Sequence, residues 1–469
     1  MRMTENATLE RNKVGLWGLV FYSLGTILPL GIFGLAAIAV ITFSTHAVID
    51  FVVGYLVTLL AISIVYQFSE KVTHAGGYYA FVGSGLGSKP GLVTGWIYMA
   101  YLVLTLSTGA ASIGWLVSIY MHYFYAYTVP VYVVILLDFS VCALTYLVTV
   151  RGVKSTVRTA VTVGIIEVIA VISVSLAVIV ILGSRNTAAA ISFPTVAGLH
   201  PFFLGFIVGS FESYAGYGGM LTLSEEAKTP KSTVRKALVL ASTLAAVCFI
   251  LGTYITLAGW GLKDISTLVN LTAPGFTVIG KYLGLVVATI ILLLILVAQY
   301  ISPMMAGSSG SRVIFALARD GGLPKALSKL NGKKAPSTAA SFSSIIGAVI
   351  IVIATIPMII AYGYSDGIYY AVLVLATMLT IASMVIHILS GISMPVFFKK
   401  LGQLSYMKQV VAPAATIVVF IVALYYSLLG ITFPYIVAPI AILIYALIAV
   451  FYISYKHRGK LELNFNRVE

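Results

Sequence analysis

The stretch FYSLGTILPLGIFG, residues 21–34, is as apolar as the chain around it, yet it carries three glycines and a proline: Gly25, Pro29, Gly31 and Gly34. Its meaning depends on the solvent. In lipid, the backbone groups freed by a broken helix have no water to bond, so such a break survives only where it lines a cavity or is buried in protein. Composition settles the solvent. Hydrophobic residues make up 60% and charged residues 9% of the 469, with a mean hydropathy of +1.06, whereas a soluble domain carries about 25% charge. The chain is an all-α integral membrane protein.

Runs of roughly 20 apolar residues mark membrane-spanning helices. They fall at 14–42, 47–68, 91–121, 129–150, 155–183, 200–223, 235–260, 277–310, 338–361, 367–396, 410–430 and 432–455. Twelve spans are therefore expected, in one membrane domain with short loops. No cleavable signal peptide is expected, because MRMTENATLERNK is polar and leads into an apolar stretch too long for a signal core. Cys142 and Cys248 lie inside apolar runs and imply neither a disulfide framework nor a metal cluster. A net charge of +14 would suggest a nucleic-acid partner for a soluble protein; here it orients the spans. With the N-terminus inside, only Arg185, Lys263 and Lys281 fall outside, while RGVKSTVR, EEAKTPKSTVRK, SRVIFALARDGGLPKALSKLNGKK and YKHRGK all fall inside. Cytoplasmic loops are the ones enriched in Lys and Arg, so both termini are expected in the cytoplasm, in the plasma membrane, with the lipid bilayer and no nucleic acid as partner. The longest inner link, 311–337, is expected to hold an amphipathic segment around FALARDG. Asn270-Leu271-Thr272 is a glycosylation triplet in an outer loop.

A second interruption lies in the sixth span, GSFESYAGYGGM, with Gly209, Gly216, Gly218 and Gly219. The first and sixth spans are five apart. They correspond if spans 1–5 and 6–10 are two repeats, which must then have opposite topology because five is odd. Paired interruptions in matching helices of inverted repeats point to a transporter's binding site; glycines in membrane helices also serve close packing. Pro29 suits the first position of a half-helix, where its missing N–H would be unbonded anyway.

Four blocks carry a family resemblance: GTILPLGIF (25–33), VTHAGGYYAFVGSGLGSKPGLVTGW (72–96), FESYAGYGGMLTLSEEAKTPKSTVRKAL (211–238) and SRVIFALARDGGLPKALSKL (311–330). Together they resemble the amino acid/polyamine/organocation (APC) superfamily of secondary transporters, of the amino acid permease type, and the resemblance covers most of the chain. It implies a five-plus-five inverted-repeat fold of the LeuT type with discontinuous helices 1 and 6. The first repeat would occupy 14–183, the second 200–396 and two extra helices 410–455, flanked by cytoplasmic residues 1–13 and 456–469. It implies transport of amino acids or related amines by alternating access. Two departures stand out. Pro29-Leu30-Gly31 replaces the usual G-S-G, and His74 replaces the usual loop proline. In the family a substrate carboxylate sits on the N–H groups of the first broken helix, an anion site of the half-helix N-terminus. Here Pro29 removes one donor and Leu30 a hydroxyl, leaving the N–H groups of Leu30, Gly31 and Ile32.

Asp138, Glu167 and Glu212 lie within the fourth, fifth and sixth spans. Intramembrane ionisable groups are costly and are functional candidates by default; with no Lys or Arg at comparable depth, the counter-charge would be a proton, a metal cation or a cationic substrate. Glu212 stands one turn before Gly216 and should face the site, either contacting a substrate amine or packing protonated in the bundle. By the resemblance, Glu167 matches a helix-5 position that is often lysine in proton-coupled members. It would carry a coupling proton, or help Ser302 and carbonyls near Gly25 ligate sodium, a hard cation that prefers oxygen; proton coupling is favoured. Asp138 matches no motif and is read as structural. His46, His200 and His387 are placed near span ends and read as interfacial.

The expected substrate bed is Gly25, Thr26, Ile27, Pro29, Leu30 and Gly31 on the first break, with Glu212, Tyr214, Ala215, Gly216 and Tyr217 on the sixth. Tyr101 and Ala306 complete it, and the aromatics Phe33, Tyr101, Tyr214 and Tyr217 are candidates to cover a cation. Glu225 and Glu226 end helix 6, while Arg312, Arg319 and Asp320 follow helix 8; these groups either pair across an inner gate or are solvated loop charges. No H-E-x-x-H, G-x-S-x-G or Walker A pattern occurs, GSGLGSKP lacking the spacing, so no enzyme and no cofactor is expected. A cationic amino acid or polyamine is the favoured substrate. The runner-up is a neutral amino acid moved with protons, or a sodium-coupled or exchange mode. A channel or amine sensor on the same fold is the non-transporter alternative.

Overall fold

The structure, a computed structural model, describes residues 8–33, 40–41, 46–195, 201–202, 205–268, 274–457 and 463. Gly34, His200, the Asn270-Leu271-Thr272 triplet and most of the tail lie outside these residues. The long helices are α1 (Leu16–Ile27), α2 (Ala47–Lys71), α3 (Ser88–Tyr125), α4 (Val131–Val150) and α5 (Val153–Leu182). After a short α6 (Phe211–Tyr214) come α7 (Pro230–Trp260), α8 (Pro274–Arg319), α9 (Ser337–Tyr362), α10 (Tyr364–Lys400), α11 (Ala412–Leu428) and α12 (Val437–Lys456). Eleven of the described helices are long and apolar enough to cross a membrane, the first counted as Leu16–Phe33. The sixth segment is not among them because it is broken into short pieces.

Local chemistry places both breaks. Leu28 precedes a proline, a position that disfavours the α region, and it ends α1 in the left-handed region at φ 63°, ψ 68°. That conformation costs a non-glycine residue about 1–2 kcal/mol. Pro29 then opens a 3-10 turn, Pro29–Phe33. The sixth segment runs as a π turn, Phe206–Ser210, one α turn, Phe211–Tyr214, and a 12-residue 3-10 stretch, Ala215–Glu226. Runs of 3-10 helix beyond three or four residues are uncommon and mark hinges or strain. The two breaks touch. A Cβ on Gly216 would lie 2.8 Å from both the Ile27 nitrogen and the Thr26 carbonyl carbon, so only glycine permits this backbone approach.

α1 packs between α5, α7, α8 and the sixth segment, while α3 lies along α8 and α10. Burial ranks the layers. In the most apolar windows of the first and third spans 72% of residues are buried, against 22% in α11 and α12, which therefore form the rim.

Two expectations from sequence are corrected. The amphipathic segment expected around FALARDG is not a separate piece in a link: α8 continues unbroken from its kink at Gly284 through Arg319, because Val313–Ala318 are all buried and extend its apolar face. The stretch after α2 carries a further helix, Tyr78–Leu86, packed on α3 and α10. His387 does not sit at a span end. It is buried within α10, where its ring finds partners on two other segments. An element that sequence reading did not foresee is the parallel bridge between Val14 and Ala227, fixed by Lys13 and Val14 N–H groups donating to the Glu226 carbonyl at 2.8 and 3.0 Å.

Candidate functional site

The carbonyls loosened by the breaks are satisfied by hydroxyls from neighbouring helices, which explains how the breaks persist in an apolar surrounding. From α3, Tyr101 donates to the Ala215 carbonyl (3.4 Å) and Tyr98 to that of Gly218 (3.1 Å). From α8, Ser309 donates to the Gly219 carbonyl (3.2 Å) and Ser302 to that of Thr26 (3.0 Å). Thr26 itself donates to the Tyr22 carbonyl, and the Tyr22 hydroxyl donates to that of Met305 at 2.9 Å. Ala306 is buried beside Met305. Thr26 and Ile27 thus meet Gly216 directly, with the Tyr101 hydroxyl on the adjoining Ala215 carbonyl, while Gly25 faces Met305, Ile301 and Ala160.

Not every expected side chain points there. The Tyr214 hydroxyl donates to the Phe51 carbonyl at 3.0 Å, and its ring lies against Phe51, Tyr55 and Phe249. Only its backbone belongs to the break, since the side chain turns to α2 and α7. Tyr217 bonds His387 at 2.5 Å instead of standing free over a ligand. On the first break the Gly31 N–H is taken by the Leu28 carbonyl at 3.0 Å, and that of Leu30 faces the Glu167 carboxylate. The amide bed is therefore partly committed within the protein.

No ion pair among the described residues involves the three intramembrane acids. Asp138 accepts the Gly114 N–H at 3.0 Å, tying α4 to α3. Glu167 is buried, and neither carboxylate oxygen meets hydrogen-bond geometry with a described group, although the Leu30 N–H is close. Glu167 makes no hydrogen bond to Ser302, whose hydroxyl donates to the Thr26 carbonyl. Ala160 is the α5 residue beside Gly25, and Glu167, seven residues on, is displaced by about 10 Å along the axis. Glu212 has a buried Oε2 without a partner among the described residues; the Thr380 hydroxyl of α10 and the Tyr101 ring are its nearest polar company.

Four charged residues at the Lys/Arg-rich end, Glu225, Glu226, Arg312 and Arg319, are buried and paired. Arg319 grips Glu225 with two nitrogens at 2.7 and 3.0 Å, and Arg312 Nε meets Glu226 at 2.5 Å with side-chain exposures of only 1% and 3%. The Ala75 N–H donates to Glu225 at 2.9 Å, and Ser224 donates to the His74 carbonyl. His74 completes the cluster. Its Nδ1 accepts the Gly76 N–H (3.0 Å), so its Nε2 is the donor to Asp320 (3.1 Å), whose carboxylate also accepts from the Tyr79 hydroxyl. Burial raises the Glu225 carboxyl, but the Arg319 hydrogen bonds and charge, with His74 and the Ala75 N–H, hold it at about 2.

Sequence reading missed His387. Its Nδ1 donates to the Ser383 carbonyl (2.7 Å), leaving Nε2 to accept from Tyr217 (2.5 Å) and face the Tyr78 hydroxyl (3.2 Å). The ring ties α10 to the sixth segment and to the short helix Tyr78–Leu86. Its signal was available, because the rule that flagged three intramembrane acids applies equally to a histidine in an apolar span.

Residues 18–468 match the amino acid permease family. Among similar proteins, the branched-chain amino acid permease BcaP of Bacillus subtilis (strain 168) is 24% identical over 373 residues, covering 71% of this chain and 72% of the relative. BcaP of Lactococcus lactis subsp. cremoris (strain MG1363) is 27% identical over 140 residues, 30% of each chain. The uncharacterized amino acid permease YvbW of Bacillus subtilis (strain 168) is 23% identical over 344 residues, covering 71% of this chain and 74% of that one.

Proposed function

The chain belongs to the amino acid permease family, a family of membrane transporters and not of enzymes, and on that premise we propose that it carries an amino acid or related amine by alternating access, with Glu212 holding the substrate's ammonium group. The observation that carries this reading is the buried Glu212 Oε2 without a partner among the described residues, one turn before the break in the sixth segment. An ammonium ion brings both a counter-charge and a donor to such an oxygen, and charge-assisted bonds are the strong ones. A cationic amino acid or polyamine fits best where the Gly31 amide is already committed. A neutral branched-chain amino acid is the second reading, favoured by the names of the two BcaP relatives.

In this account helices 1–5 and 6–10 form the two inverted repeats and the breaks of the first and sixth face each other at the midplane. The Lys/Arg-rich end is cytoplasmic in a plasma-membrane protein, and Glu225–Arg319 and Glu226–Arg312 close the inner gate. Glu167 carries the coupling proton. A bare carboxylate is costly at this depth, which favours a proton on Glu167.

The test is uptake into proteoliposomes of labelled lysine, putrescine and leucine, with and without an inward proton gradient. Accumulation above the outside concentration, driven by the gradient and lost in Glu167→Gln, is expected. Equilibration without accumulation would make the protein a channel. Binding without uptake would make it a sensor.

A further inference from the structure

Away from the broken helices, a groove of about 580 Å³ opens at the Lys/Arg-rich end between α2, α7 and the π turn Met407–Val411 that precedes α11. Its walls differ with depth. Leu59 and Val239 form an apolar side that continues the lipid-facing surface, with Ile62 and the Phe398 ring buried behind them. Toward the aqueous end stand three cations, Lys71, Arg235 and Lys408. One carboxylate, Glu70, serves two of them, at 2.9 Å from Arg235 and 3.3 Å from Lys71. Three positive charges against one leave a surplus of two, and the Lys408 ammonium is exposed. The floor is polar and built: Gln67 donates to the Lys408 carbonyl, and Gln409 donates to Gln67, both at 2.9 Å. Arg235 is further held over the Tyr66 ring at 4.9 Å, so the guanidinium is positioned and not free.

We propose that this groove is a binding site for an anionic phospholipid, with the headgroup phosphate between Arg235, Lys71 and Lys408 and an acyl chain along Leu59 and Val239. Charge complementarity decides the occupant. A zwitterionic lipid would bring its own cation into an already positive pocket, and a soluble anion would leave the apolar wall unused. Basic pockets between spans at the charged end of a bundle recognise acidic headgroups in this way. The site is separate from the transport path and does not depend on the substrate reading.

Native mass spectrometry of the full-length protein, titrated with phosphatidylglycerol or phosphatidylcholine of the same acyl chains, tests it. The wild type should retain phosphatidylglycerol preferentially. Each cation removed near a membrane surface lowers affinity by roughly fivefold, so Lys408→Gln should show that loss and Arg235→Gln/Lys408→Gln should approach the phosphatidylcholine level. Lys408 is exposed, so its variant keeps the fold. Lys325→Gln, an exposed cation elsewhere, should retain the lipid unchanged. Equal retention of the two lipids, full retention by Lys408→Gln, or an equal loss in Lys325→Gln overturns the proposal. Displacement of phosphatidylglycerol by millimolar glycerol phosphate also overturns it, in favour of a soluble phosphate.

Discussion

Arg312→Met is the perturbation with the most defined consequence at the gate. Arg312 bonds Glu226 at 2.5 Å and the Ser308 carbonyl and hydroxyl at 3.1 and 2.8 Å, inside a site nearly closed to solvent. Its removal leaves Glu226 buried without its cation, a change that costs about 3–5 kcal/mol. If the pair closes a gate, opening it hydrates the orphaned carboxylate, and the cost falls on the closed state alone. The equilibrium then shifts toward opening by roughly 10²- to 10⁴-fold. Replacing both partners, Arg312→Met with Glu226→Leu, removes the orphan and should restore most of the loss, since apolar replacement of a buried pair is often neutral. The assay is the maleimide labelling rate of Ala227→Cys in a background lacking Cys142 and Cys248; Ala227 follows Glu226 and is 1% exposed. Labelling should accelerate at least a hundredfold in the single variant and return toward the parent in the double. Rates within threefold of the parent, or a double variant whose effect is the product of the two singles, would refute the reasoning, because coupled residues must depart from additivity.

Gly216→Ala should lower the melting temperature and uptake together, because its Cβ meets Thr26 and Ile27 backbone at 2.8 Å and overpacking costs about 1–3 kcal/mol; unchanged melting would mean that the breaks do not touch. His387→Leu removes the acceptor of the Tyr217 hydroxyl, at about 1–3 kcal/mol, and a further Tyr217→Phe should recover part of the loss in a denaturation series; a Tyr217→Phe penalty as large as in the wild type would argue against the bond. Glu225 is held at about 2, below its ordinary 4.5, so its contribution to stability is present above about pH 4.5 and disappears as pH falls toward 2. A thermal-melt series in acid should show that loss in the wild type and a flatter profile in Glu225→Gln, with parallel profiles counting against the assignment.

The first break was legible because its cause is local: Leu28 precedes Pro29, and the two shape each other without help from the rest of the chain. The sixth was legible as clustered glycine, though not its 12-residue 3-10 form, whose carbonyls are bonded by two tyrosines of α3 and by Ser309 of α8. Charge misled the reading of α8. SRVIFALARD looks like a helix end followed by a link when Arg312 is assumed to need water, yet Glu226, 86 residues away, supplies its counter-charge within the protein. His387 was lost for the same reason, since its partners are 170 and 309 residues distant. Glu167 was placed by counting along a motif, and only the structure shows that Ala160, seven residues earlier on α5, is the residue packed on Gly25.

The most direct measurement of the central claim is equilibrium binding of the best substrate from the uptake panel, and of its deaminated analogue, to purified wild type and Glu212→Gln. A hydrogen bond to a charged group contributes about 1.5–3 kcal/mol, so Glu212→Gln should weaken the amine-bearing ligand by roughly 10- to 150-fold and leave the deaminated analogue unaffected. Equal affinity of wild type and Glu212→Gln for the amine would contradict the account, because the substrate's ammonium group would then rest elsewhere.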